Sequence, residues 1–132
     1  MMLMNKSPLS GCPFITTIAV NDLENGTMFY ETILGLKKVG ENSAGVQFEC
    51  SGGMIGIHQS ATAGSSLATC AWWTVDNVEA TVKTLRSRGV EFMKNYDLPY
   101  AQRENDIYFL NKRTKAAWFK DLDGNILGIG NF

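Results

Sequence analysis

Two stretches of this chain follow one plan. Val20 to Gly35 and Val75 to Gly89 each leave a β-branched, apolar run and pass a polar residue with Glu three positions on; apolar side chains then recur at helical spacing until Gly. In the first copy Asn21 with Glu24 reads as the N-cap pair, Phe29, Tyr30 and Ile33 fall on one face, and Gly35 ends the helix. In the second, Asp76 with Glu79 repeats the cap, Val78, Val82 and Leu85 make an i, i+4, i+7 stripe, and Gly89 stops it. A strand and helix unit that occurs twice restricts the chain to two similar modules, because one such unit cannot cover its own apolar face.

The flanking segments complete each module. Phe14 to Val20 is β-branched and aromatic-rich, as a buried strand is. Three short strands follow the first helix, Leu36 to Glu41, Gly45 to Cys50 and Met54 to Gln59, parted by Asn42-Ser43 and Ser51-Gly52-Gly53. Ser60 to Leu67 is small and polar and reads as a linker. Ala68 to Val75 opens the second module, and Val90 to Tyr96, Thr114 to Lys120 and Ile126 to Asn131 close it, the last two joined by Asp121-Leu-Asp-Gly-Asn125. The expected fold is α+β, two βαβββ modules at about 13–59 and 68–132 in one domain over 1–132, with curved mixed sheets enclosing a cavity. Asp97 to Arg113 exceeds this plan; it reads as a surface excursion packing its own aromatics or as a lid over the cavity mouth.

Composition removes several partners. Twelve Lys plus Arg against thirteen Asp plus Glu give a net charge of −1, without the positive footprint of a phosphate-backbone binder, so no nucleic acid is expected. No apolar run approaches the roughly 18 residues of a membrane span, so no membrane partner is expected either. Met1 to Phe14 is interrupted by Asn5, Lys6, Pro8 and Gly11 and does not read as a secretory signal; a cytoplasmic location is expected, with Met1, Met2 and Met4 in a mobile N-terminus rather than in a site. Cys12, Cys50 and Cys70 are odd in number and far apart, which speaks against a disulfide framework or a thiolate zinc site and for reduced, mostly buried thiols.

The paired modules, with Phe29-Tyr30-x-x-x-Leu34-Gly35 in the first helix and Phe119-x-Asp121-x-Asp123-Gly124-Asn125 at the last hairpin, resemble the vicinal oxygen chelate superfamily of glyoxalase I, extradiol dioxygenases and bleomycin-resistance proteins. The resemblance covers Phe14 to Phe132, with Leu122 where that superfamily usually has Pro. It implies four metal ligands, His or Glu, on the first and last strand of each module. Carried onto this chain, those positions are Ile15, Gly56, Cys70 and Gly128. Ile and Gly side chains donate no electron pair and one thiol does not make a site of three or four ligands, so neither metal nor cofactor is expected. His58, the only His, lies two residues beyond Gly56 on the same strand face. It reads as a pocket side chain bonded to a neighbour, a displaced ligand, or a general acid or base, and is the only catalytic candidate.

Alternation around these positions places Ile15, Thr17, Gly56, His58, Cys70 and Trp72 on the cavity lining, with Ile126 and Gly128 from the last hairpin and Ala117 and Phe119 opposite them. Trp72 is expected to face the hollow and Trp73 to pack beneath a helix. The leading expectation is a metal-independent small-molecule-binding protein of the glyoxalase and bleomycin-resistance type, holding an apolar aromatic compound or antibiotic against Trp72. The alternative is a lyase, isomerase or dioxygenase using an unorthodox metal site or His58; a third is a structural or regulatory dimer with a vestigial pocket. A homodimer is expected, since curved open sheets need cover and edge pairing, and the resemblance implies cavities completed by a second chain.

Overall fold

The computed structural model describes residues 7–132; Met1, Met2 and Met4 lie outside the described residues. The first half runs β1 (Ile15–Val20), α1 (Leu23–Thr27), β2 (Lys37–Asn42), β3 (Gly45–Cys50) and β4 (Gly53–Gln59). The second runs β5 (Thr69–Thr74), α2 (Val78–Ser87), β6 (Gln102–Glu104), β7 (Ile107–Phe109), β8 (Lys115–Lys120) and β9 (Ile126–Gly130). The sheets are β1-β4-β3-β2 and β5-β9-β8-β7-β6, so in both the last strand returns to lie parallel to the first. This is the expected α+β architecture, with sheets that stay open.

Both caps fall one residue later than the spacing suggests. Asp22, extended at φ −137°, accepts from the backbone N–H groups of Glu24 and Asn25, and Asn77 accepts from that of Ala80. Asn21 is drawn elsewhere, its backbone N–H donating to Asp123 Oδ1 at 3.2 Å. Beyond α1 the helix widens into a π turn over Met28–Ile33, in which Leu34 N–H donates to the Phe29 carbonyl five residues back. Phe29 and Tyr30, adjacent in sequence, are both buried there.

One apolar core runs under both halves. Ile18 and Val20 of β1, Ile55 and Ile57 of β4, Val46 and Phe48 of β3, Ala117 and Phe119 of β8, and Leu127 and Ile129 of β9 meet Phe29, Tyr30, Val78 and Val82 from the helices. Helix α1 approaches closely through Gly26, where a Cβ would come within 3.1 Å of Val20 Cγ1.

The expected strand Val90 to Tyr96 forms only a bridge, Phe92 to Phe119, with Met93 N–H donating to the Trp118 carbonyl at 2.7 Å. The remaining outer edge of β8 is taken by β7, which pairs Tyr108 with Ala116 and Phe109 with Lys115. The Asp97 to Arg113 segment is therefore part of the sheet rather than a free loop over the cavity mouth: its β6 and β7 form a hairpin that extends the sheet, with Tyr108 of β7 buried. Ser60 to Leu67 is anchored, since Gly64 N–H donates to Asn125 Oδ1 at 3.1 Å. A Cβ on Gly64 would sit 1.8 Å from the Asp123 carbonyl, so only Gly, here at φ +71°, permits the contact.

Candidate functional site

On the first sheet the face away from the helices carries four of the expected residues. Pairing of β1 with β4 sets Thr17 beside Gly56 and Ala19 beside His58, and Ile15 covers Gly56, its Cγ2 being 3.5 Å from where a Cβ would stand. Ile15 and Thr17 are exposed, Gly56 is buried and His58 half-buried. Among the described residues His58 makes neither an ion pair nor a side-chain hydrogen bond, so no acid or nucleophile is coupled to it.

The second sheet departs from simple alternation. The β5–β9 register shifts between Thr69 and Ala71, a bulge that takes Cys70 out of sequence. Cys70 packs against the helix-side core instead of the cavity face, and Thr69 takes the place expected of it, accepting from Trp118 Nε1 at 3.1 Å and lying 2.8 Å from Tyr96 Oη. Phe119 is a second correction. The β8–β9 register sets Trp118, not Ala117 or Phe119, opposite Gly128. Phe119 points to the helix side, 1% exposed, and stacks on Trp73 at 6.4 Å, so that ring pair packs under α2 as expected of Trp73.

Trp72, Ile126 and Gly128 do share the other face. Gly128 leaves no gap in that face, because a Cβ there would lie 2.7 Å from the Trp72 ring and 2.9 Å from Trp118 Nε1. Trp118 in turn stacks on Tyr96 at 4.1 Å and meets Tyr108 edge-on at 5.2 Å. Trp118, Tyr96 and Tyr108 were not among the expected site residues. The hairpin length would have pointed to Trp118, since a turn closed by Asp121 and Asn125 sets 118 against 128. At the seam between the sheets, Met54 on β4 and Trp72 and Thr74 on β5 border a depression of about 380 Å³.

Residues 14–129 match the model of the Glyoxalase/Bleomycin resistance protein/Dioxygenase superfamily. The chain belongs to that superfamily. Among solved structures, the glyoxalase-family chain is similar to UcmS2 at 16% identity and TM-score 0.70, over 91% of this chain and 97% of that one. A glyoxalase/bleomycin resistance protein/dioxygenase from Alicyclobacillus acidocaldarius shares 18% identity over 91% and 90% of the chains with TM-score 0.68. The fosfomycin resistance protein FosX from Listeria monocytogenes shares 18% over 92% of each, with TM-score 0.67. Among curated proteins none matches the chain.

The superfamily's metal does not fit this donor set. Ile15, Gly56 and Gly128 offer no donor atom, and the bulge turns the one thiol, Cys70, toward the core. Among the described residues no three His, Cys, Asp or Glu side chains gather as a metal site.

Proposed function

We propose that this glyoxalase-superfamily protein binds a planar, largely apolar small molecule without a divalent metal, on the sheet face that carries Trp72. One observation carries the reading: the metal-ligand positions hold Ile15, Gly56 and Gly128 and a thiol turned away, while a half-buried indole borders a depression of about 380 Å³. An indole face and a few polar groups suit an aromatic ligand better than a chelated one. FosX, a fold neighbour, is a fosfomycin resistance protein, and sequestration of an antibiotic is the form of this reading we favour. A second copy of the chain completes the site, covering Ile15 at the start of β1 and Phe14 just before it, which stand 44% and 82% exposed. The setting proposed is cytoplasmic, where the free thiols of Cys12, Cys50 and Cys70 stay reduced.

The test joins metal analysis to ligand titration. Protein purified without chelator should hold little metal, and planar aromatic compounds should quench its tryptophan fluorescence. Trp72→Phe should weaken their binding by roughly threefold or more, as the smaller ring loses contact area. Near-stoichiometric Zn, Ni, Mn or Fe that is lost on His58→Ala would replace this reading with a metal-dependent enzyme.

A further inference from the structure

The Trp72 face already holds an aromatic group with an oxygen beside it, supplied by the chain itself. The Phe132 ring lies 5.0 Å from the Trp72 ring at an interplanar angle of 50°. The Phe132 carbonyl oxygen accepts from Trp72 Nε1 at 3.2 Å and from Thr74 Oγ1 at 3.1 Å. Trp72 and Thr74 are two apart on β5 and share a face, so these two donors converge on one point. An oxygen that takes two donors at once uses both lone pairs, as a carbonyl or carboxylate oxygen does.

The donors are held in place. A Cβ on Gly130 would lie 2.3 Å from Trp72 Cζ2 and one on Gly128 2.7 Å from its Cε3, so the indole rests on the β9 backbone and its N–H direction is set before any ligand arrives. Phe132 is the outermost member, its residue 54% exposed. The two residues that carry these donors also border the depression of about 380 Å³ beside Met54.

We infer that Trp72 and Thr74 form a subsite for an aromatic compound bearing a carboxylate or carbonyl oxygen near its ring, and that Phe132 occupies this subsite as a built-in competitor. The inference rests on the binding reading above and names the ligand class for that same face. Phe132 and the ligand then exclude one another, and the observed affinity falls by the fraction of chains in which the subsite is open.

Calorimetric titration with 3-phenylpropanoate, which reproduces the ring-to-carboxyl spacing of Phe, and with propylbenzene, the same ring without oxygen, tests this. A chain lacking residue 132, checked for folding by circular dichroism, should bind 3-phenylpropanoate about tenfold tighter than the full chain, as for a subsite closed nine times in ten. Thr74→Val in the shortened chain should lose about fivefold of that affinity, the worth of one hydrogen bond, and leave propylbenzene unchanged. Equal affinity for 3-phenylpropanoate with and without residue 132, or no loss at Thr74→Val, overturns the inference; propylbenzene binding in that case keeps the broader reading. Failure of both compounds to bind a folded shortened chain overturns both.

Discussion

Asp121 lies in the turn between β8 and β9, and its two carboxylate oxygens receive hydrogen bonds from Tyr30 Oη, Asn125 Nδ2 and the backbone N–H groups of Asp123 and Asn125. Asn125 also donates to the Ala19 carbonyl, so one buried cluster ties the last hairpin to β1 and to the helix after it. Burial, then the charge of Asp121, pushes the Tyr30 phenol far above its ordinary value. Tyr30→Phe removes one of the four donors and should cost about 1–2 kcal/mol in urea unfolding. The pH dependence follows from the direction of the shift. A phenol whose folded pKa is raised gives its full stability below the unfolded value of about 10 and loses it as pH climbs toward the folded value. The native chain should therefore weaken above about pH 10 more steeply than Tyr30→Phe, and identical alkaline profiles would remove Tyr30 as the cause.

At the scale of elements, the β6–β7 hairpin is fixed to α2 by one carboxylate. Asp106, 4% exposed, pairs with Arg86 on α2 and at 2.6 Å with Lys94. Burial pushes its pKa up, but hydrogen bonds from Lys94 and Arg86 outweigh it and hold the group below the usual carboxylate range. Its contribution is complete above the ordinary value and is lost as pH falls from about 4 toward the lowered one. Asp106→Ala should cost about 1–2 kcal/mol and speed amide exchange in 102–109 while leaving β1 to β4 protected. Uniform acceleration across both sheets would show that the hairpin does not open on its own. The hairpin was hidden in a segment whose aromatics and charges suggested a lid, because a three-residue strand has too few alternating positions to register as a pattern. Both helices were legible, yet each cap fell one residue late, since Asn21 and Asp22, like Asp76 and Asn77, are equally good caps by residue type.

For the whole molecule the open sheet faces set the expectation. Two sheets share their helix-side core, while the opposite face of the first leaves Ile15 and Thr17 exposed. Strands β1 and β2 are the edges of the first sheet and β5 and β6 those of the second, each with one side not paired to another strand. Light scattering at micromolar concentration should give twice the mass of one chain. Ile15→Lys should shift it toward the single chain, because a charge inserted in an apolar contact is costly to desolvate. A single-chain mass for the native protein would mean that each chain's site stands complete without a partner.

The duplicated strand and helix unit, the Asp-Gly turn and the absence of side-chain donors at Ile15, Gly56 and Gly128 were all written in local sequence, because period, turn chemistry and ligand type are properties of neighbouring residues. Which residues join Trp72, Ile126 and Gly128 on their face of the second sheet was decided only in three dimensions. A single bulge at Cys70 exchanged that thiol for Thr69, and the hairpin register exchanged Phe119 for Trp118, because a shift of one residue carries a strand's side chains to the other face. Phe132 reached Trp72 by the same logic of long-range pairing: residues 72 and 132 are far apart in sequence, and only the parallel β5–β9 ladder brings them together.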